Sequence, residues 1–233
     1  MKMRAALFVT CLVDTLRPEV GRATVAVLER AGVTVEFPEA QTCCGQLHHN
    51  AGELDESRAL AVRFAEVFDE FDAVVAPSAS CVGHVRGALA ELGGDAAKLG
   101  ERTYELSQFL VGELGIEHVD STFAGRVAYH PTCHSLRVLP LDGAPLQLLS
   151  GVVGVEPVAL EREDECCGFG GMFAIRNAAV SSAMLADKLA DIGRSEAEVV
   201  CACDASCLLH IGGGLERAGS PVRAVHLAEI LAG

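Results

Sequence analysis

The feature that most constrains this chain is a pair of adjacent cysteines followed by glycine, and it occurs twice. The two copies are Cys43-Cys44-Gly45 and Cys166-Cys167-Gly168. Adjacent Cα atoms lie about 3.8 Å apart, which is shorter than the roughly 4.4–6.8 Å that a disulfide needs. Neighbouring thiolates can instead bind one soft metal centre, and the glycine lets the backbone approach a bulky group with positive φ. The motif therefore predicts a duplicated metal site.

Single cysteines on either side of the two motifs repeat with them. The offsets are 122, 123 and 126 positions for the pairs Cys11/Cys133, Cys43/Cys166 and Cys81/Cys207. Offsets this constant are hard to obtain by chance. They indicate two homologous halves, which we place at residues 1–120 and 121–233, with a boundary near residues 115–125.

Short apolar runs alternate with amphipathic segments in both halves. Residues 5–10 and 73–76 are typical of buried strands, and residues 54–71 carry apolar side chains at helical spacing. The alternation predicts an α/β fold, with a small, mostly parallel sheet flanked by helices in each half. In each half the cysteines follow three successive strands. Because the carboxyl ends of parallel strands meet at one rim, where ligands bind, we expect the sulfurs to gather there.

Three local features carry weaker expectations. The strand at residues 155–160 contains Pro157, which predicts an edge position. Gly93-Gly94 and the charged residues after it predict a surface loop, and Gly212-Gly213-Gly214 predicts a helix stop or a turn.

The composition narrows the class of protein. A net charge of −14 argues against nucleic acid and against an anionic membrane surface as partners. Ten cysteines would indicate disulfides in a secreted protein, but residues 1–9 show no secretory signal pattern. No apolar run approaches the roughly 20 residues of a transmembrane segment. We therefore expect a cytoplasmic protein whose thiols serve metal binding or redox chemistry.

Four thiolates in each half suit either zinc or an iron–sulfur cluster. Structural zinc usually draws on closely spaced cysteine pairs, whereas ligands from three separate strand ends favour a larger cofactor. A single buried cysteine is more often a small core residue, and this interpretation applies to Cys201 and Cys203. The predicted ligands are Cys11, Cys43, Cys44, Cys81, Cys133, Cys166, Cys167 and Cys207.

The cysteine pattern resembles the duplicated cysteine-rich domain of heterodisulfide reductase. Segments such as 129–133, 166–171 and 204–209 are similar, together with their counterparts in the first half, to the lactate utilization protein A family over essentially the whole chain. The resemblance implies a cytoplasmic iron–sulfur electron-transfer subunit of a complex that oxidises L-lactate to pyruvate, rather than a complete enzyme. The implied partners are two sister subunits, a ferredoxin-type iron–sulfur protein and a third subunit.

One departure from the heterodisulfide reductase pattern affects the cofactor. That pattern ends each half with Cys-x-x-Cys, but Ser78 and Asp204 stand at the first of these two positions. We therefore expect one four-thiolate [4Fe–4S] cluster per half, and ligation by Ser78, Asp204 or Cys203 stays open. Two other functions also stay open: a thiol/disulfide reductase subunit of the heterodisulfide reductase type, and a structural zinc-binding scaffold.

Several histidines lie close to the motifs in sequence. His130 and His134 flank Cys133, and His48 and His49 follow the first motif. They are candidate hydrogen-bond donors to cluster sulfur, or ordinary polar residues of a loop.

Overall fold

The computed structural model describes residues 3–233. The chain divides into two compact units, the first ending at Ile116 and the second beginning at Glu117. Each unit is an α/β structure with one four-stranded parallel sheet. The predicted fold class is confirmed.

The first unit has the strand order β2-β1-β3-β4. Its strands are β1 (Arg4–Leu7), β2 (Thr34–Glu36), β3 (Ala73–Ala76) and β4 (Thr103–Glu105). Its helices are α1 (Cys11–Leu16), α2 (Pro18–Arg30), α3 (Gln46–Ala51), α4 (Leu54–Phe68), α5 (Ala79–Leu92), α6 (Gly94–Glu101) and α7 (Leu106–Gln108), and the π-helix Phe109–Glu113 follows.

The core of the first unit contains a cluster of phenylalanines beside the sheet. Phe8, directly after β1, contacts Phe64 and Phe68 of α4 edge-to-face, with ring centroids 5.1 and 5.7 Å away. All three side chains are buried. Such ring pairs contribute about 0.5–1.5 kcal/mol each beyond the apolar area that they bury, so they fix α4 against the end of β1.

The second unit repeats this arrangement with the order β6-β5-β7-β8. Its strands are β5 (Thr122–Tyr129), β6 (Val153–Val158), β7 (Val199–Ala202) and β8 (Arg223–His226). Its helices are α8 (Cys133–Arg137), α9 (Ala144–Ser150), α10 (Met172–Arg176), α11 (Ala178–Arg194), α12 (Ala205–Arg217) and α13 (Leu227–Ala232).

In both sheets the first and third strands are neighbours, and the second and fourth lie outside them. The chain thus leaves the two central strands toward opposite edges, which opens a crevice at their carboxyl ends, where ligands bind in open α/β sheets. Cys11 and Cys81 follow the central strands of the first unit, and Cys133 and Cys207 follow those of the second.

Two of the local expectations are wrong, and one is confirmed. The residues after Gly93 form helix α6 rather than a loop. The three glycines 212–214 lie inside helix α12 rather than at a stop or a turn, and a side chain at Gly214 would come within 3.0 Å of Leu185 and Leu189 of α11. Strand β6, with Pro157, is an edge strand as predicted. Between residues 3 and 233, no helix combines the length and apolar character required to cross a membrane.

Candidate metal centres

The first unit brings its four predicted ligands together at the carboxyl end of the sheet. Cys11 is the first residue of α1, Cys43 and Cys44 precede α3, and Cys81 lies in the first turn of α5. The sulfurs of Cys11 and Cys43 are 3.6 Å apart, and those of Cys44 and Cys81 are 3.4 Å apart. A hydrogen bond between Cys43 and Cys44 connects the two pairs.

The second unit gathers the equivalent four sulfurs. Hydrogen bonds connect Cys133 to Cys166, Cys166 to Cys167, and Cys167 to Cys207 in the order found in the first unit. Cys167 and Cys207 are buried, whereas Cys133 and Cys166 are partly exposed. The ligand atoms of Cys167, Cys207 and the buried His130 all lie within 4.8 Å of one another.

The surroundings favour negative charge on the first sulfur of each Cys-Cys-Gly motif, whereas hydrogen bonds to neighbouring thiols and burial raise the pKa of Cys11, Cys44, Cys133 and Cys167. In each motif the glycine N–H donates to the first sulfur, from Gly45 to Cys43 at 3.5 Å and from Gly168 to Cys166 at 3.4 Å. Hydrogen bonds from neighbouring thiols, together with these backbone bonds, lower the pKa of Cys43 and Cys166 to about 2. Thiolates are the form of cysteine that binds metals.

Glycine is required in both motifs for conformation and for space. Gly45 and Gly168 each have a φ of +90°, a value that side chains disfavour. A Cβ atom on Gly45 would lie 3.2 Å from the carbonyl oxygen of Ser57, and one on Gly168 would lie 2.7 Å from that of Ser181. Each motif therefore packs directly against the backbone of the second helix after it, α4 or α11.

A serine–histidine contact supports each motif, and our sequence reasoning missed both contacts. The hydroxyl of Ser57 lies 3.3 Å from Nε2 of His84, and that of Ser181 lies 3.3 Å from Nε2 of His210. Both histidines come three residues after the last predicted ligand of their half. That repeated Cys-x-x-His spacing was the available signal. Burial lowers the pKa of His210.

The residues at the missing cysteine positions have other contacts. The hydroxyl of Ser78 accepts a hydrogen bond from the backbone N–H of Cys81 at 3.2 Å and so caps helix α5. The carboxylate of Asp204 accepts one from Thr132 at 2.7 Å. Cys203 is buried and lies 3.6 Å from the hydroxyl of Tyr129. Each of these three side chains has a structural role without a metal.

Among the histidines noted in the sequence, two lie beside cysteine sulfur. Nδ1 of His134 is 3.5 Å from the sulfur of Cys133, and His130 lies beside Cys167 and Cys207. Burial lowers the pKa of His130 to about 4, and the positive charge of Lys188 contributes. His48 instead pairs with Glu53 at 2.7 Å on the surface.

Known proteins share both the domain pattern and the full length of the chain. The family described as "Cysteine-rich domain", or CCG, matches residues 5–86 and 127–212, one match in each unit. Lactate utilization protein A of Geobacillus kaustophilus is 43% identical, with 98% of each chain covered. Lactate utilization protein A of Oceanobacillus iheyensis is 42% identical over 98% of this chain and 96% of that one. The chain belongs to the lactate utilization protein A family.

The solved structures that resemble this lactate utilization protein A family member are more distant in sequence. A glutamate racemase from Bacillus anthracis is 12% identical, covers 99% of this chain and 79% of its own, and has a TM-score of 0.37. A likeness at this level carries no argument about function.

The donor set fits an iron–sulfur cluster. In each unit four cysteines from three strand ends contact one another, backbone N–H groups face their sulfurs, and glycine leaves room beside them. Thiolates are the usual ligands of such clusters. The residues that would hold one cluster are Cys11, Cys43, Cys44 and Cys81, and those that would hold the other are Cys133, Cys166, Cys167 and Cys207.

Proposed function

We propose that this chain is the iron–sulfur electron-transfer subunit of a cytoplasmic complex that oxidises L-lactate to pyruvate. The observation that supports the proposal is the meeting of four cysteine sulfurs in each unit, in a chain 43% identical to a protein named for lactate utilization. Oxidation of lactate to pyruvate releases two electrons and two protons. A [4Fe–4S] cluster, when bound, accepts and donates one electron at a time.

The protein's own residues would hold and tune the two clusters. The eight cysteines supply the thiolates, and the N–H groups of Gly45 and Gly168 donate to sulfur and stabilise added negative charge. Helices α1, α3 and α5 begin at the first sulfur group, so the positive ends of their dipoles lie close to it. These features suit a site that gains and loses electrons.

Four thiolates per unit support a [4Fe–4S] cluster rather than the five-thiolate cluster of heterodisulfide reductase. Ser78 caps α5 and Asp204 accepts from Thr132, so neither needs a metal to satisfy its side chain. Because the chain lacks the cysteines for the heterodisulfide reductase type of cluster, we favour lactate oxidation over disulfide reduction as its function.

The test is reduction of the chain by substrate. The full chain, loaded with iron and sulfide without oxygen, is mixed with its two sister subunits, a ferredoxin-type iron–sulfur protein and a third subunit. We expect L-lactate to bleach the visible absorption of the chain, whereas D-lactate leaves it unchanged. Bleaching that depends on a thiol and disulfide pair, and not on L-lactate, would favour the disulfide reductase function. A chain that binds zinc alone would support the scaffold.

A further inference from the structure

The two sulfur groups have different neighbours on the side of the protein core. Phe8 and His130 each lie three residues before the first ligand of their half. The backbone N–H of Phe8 donates to Val75 at 2.9 Å, and that of His130 donates to Cys201 at 2.7 Å. Val75 and Cys201 occupy the same place in strands β3 and β7, so Phe8 and His130 are structurally equivalent.

A second pair of equivalent positions lies on the helices that cover these sites. Phe64 follows Ser57 by seven residues on α4, and Lys188 follows Ser181 by seven residues on α11. Both serines make the same 3.3 Å contact with a histidine, which fixes the register of the two helices. Phe64 is 4% exposed and Lys188 is 0% exposed.

The first unit therefore has an aromatic pair where the second has a polar pair. Phe8 and Phe64 pack edge-to-face, with ring centroids 5.1 Å apart. In the second unit, His130 is fully buried, and among residues 3–233 neither of its ring nitrogens has a hydrogen-bond partner. Its ring lies within 4.8 Å of the Cys167 and Cys207 sulfurs. A ring nitrogen without a hydrogen-bond partner in the described protein thus lies close to two predicted ligands, and the neutral ring can carry its N–H at this nitrogen.

Lys188 adds a buried positive charge that acts on His130. Its Nζ donates to the carbonyl oxygen of Arg162 at 2.6 Å and lies 3.8 Å from the carboxylate of Asp191. Asp191 also pairs with Arg194 at 3.2 Å, so one carboxylate is shared between two cations. Buried charges interact strongly because the protein interior screens them weakly.

Asp204, which stands where the first unit has Ser78, adds a buried carboxylate that accepts a hydrogen bond from Thr132, the residue before Cys133.

We propose that the metal centre of the second unit has a higher reduction potential than that of the first, and that His130 and Lys188 set the difference. This inference rests on the proposed function. Reduction adds negative charge to a centre that four thiolates already make anionic. A hydrogen-bond donor and a buried cation stabilise the reduced form more than the oxidised form, whereas two phenylalanine rings do neither. Together they outweigh the buried carboxylate of Asp204, which favours the oxidised form. A chain that carries one electron therefore carries it in the second unit.

The test is a potentiometric titration of the loaded full chain, followed by electron paramagnetic resonance. We expect two midpoint potentials, and the higher one disappears in Cys167→Ser. His130→Phe, which introduces the residue found in the first unit, lowers the higher midpoint and leaves the lower one in place. Lys188→Met has the same effect, while the exposed control Lys98→Met shifts neither. If His130→Phe loses the second centre, Lys188→Met carries the test.

Three results overturn the inference: equal midpoints in the unaltered chain, a higher midpoint that belongs to the first unit, or a second midpoint that neither His130→Phe nor Lys188→Met moves. All three leave iron in both units and so leave the proposed function intact. A chain that binds no iron at all contradicts the proposed function instead, before any titration.

Discussion

The hydroxyl of Ser181 donates a 2.8 Å hydrogen bond to the carbonyl oxygen of Gly168. The bond joins helix α11 to the second Cys-Cys-Gly motif, in a place where Ser181 is only 2% exposed. The motif is thus held by α11 as well as by any metal. The same interface contains the close approach of Gly168 to the α11 backbone.

Replacing Ser181 with alanine should destabilise the second unit in the metal-free protein. The change leaves the Gly168 carbonyl without this donor in a buried place, which costs about 1–3 kcal/mol. Chemical denaturation followed by circular dichroism measures the loss. Ser182→Ala, at the exposed neighbouring position of the same helix, is the matched control and should change the free energy of unfolding by less than about 0.5 kcal/mol. Equal effects of the two substitutions would contradict this role of Ser181.

Gly168→Ala should be more harmful than Ser181→Ala. The alanine would need a φ of +90° and would place its Cβ 2.7 Å from the carbonyl oxygen of Ser181. Strained backbone of this kind costs about 1–3 kcal/mol before the clash is added, so we expect loss of iron from the second unit only. The control is Gly193→Ala on α11, where nothing lies within 4 Å of the new Cβ and alanine favours the helix. The measurement is iron content per chain, which should fall in Gly168→Ala and stay unchanged in Gly193→Ala.

Much of the candidate site could be predicted from the sequence because the predicted ligand cysteines repeat at nearly constant offsets. Strands β4 and β8 were not predicted, since Thr103–Glu105 and Arg223–His226 are short edge strands with polar residues. Helix α12 contains three glycines, and an added Cβ would be crowded at two of them, at Gly214 by α11 and at Gly212 by Ala224 of β8. Only the packing shows that glycine at these two positions is needed for space rather than for a turn.

The difference between the residues that neighbour the two sulfur groups could not be predicted from the sequence, for a different reason. Lys188 lies on the amphipathic helix α11, where a lysine is normally expected at the surface. Its complete burial depends on the carbonyl of Arg162, which is distant in sequence, as well as on Asp191, which lies one turn further along α11. The cysteine pattern likewise predicted which residues meet, but not that His130 would be buried without a hydrogen-bond partner for its ring.

The buried pair of Lys188 and Asp191 gives a prediction about stability. Asp191→Ala leaves Lys188 buried without its carboxylate, and breaking such a pair costs about 3–5 kcal/mol. The double variant Lys188→Met/Asp191→Ala should recover part of this loss, because no buried ammonium remains. A double-mutant cycle by chemical denaturation measures the coupling. Asp187→Ala, an exposed carboxylate on the same helix, serves as control. Additive effects of the two single changes would show that the pair is not coupled.

His130 predicts how the stability of the metal-free protein depends on pH. Its pKa is about 4 in the folded protein, because burial disfavours the charged ring, against about 6.5 when unfolded. Between these values the unfolded state binds the extra proton, so stability falls as pH is lowered from 6.5 to 4, by up to about 3 kcal/mol. His130→Phe should flatten this part of the stability–pH curve. A curve that keeps its slope in the variant would assign the effect to other groups.

The most direct test of the account is the iron and acid-labile sulfide content of the anaerobically loaded full chain. We expect about eight irons and eight sulfides per chain, as two [4Fe–4S] clusters require, and about half of each in Cys44→Ser and in Cys167→Ser. Cys201→Val, which introduces the residue that Val75 supplies in the first unit, should retain the full content. Zinc in place of iron, or iron that none of the predicted ligand cysteines affects, would contradict the two-cluster account.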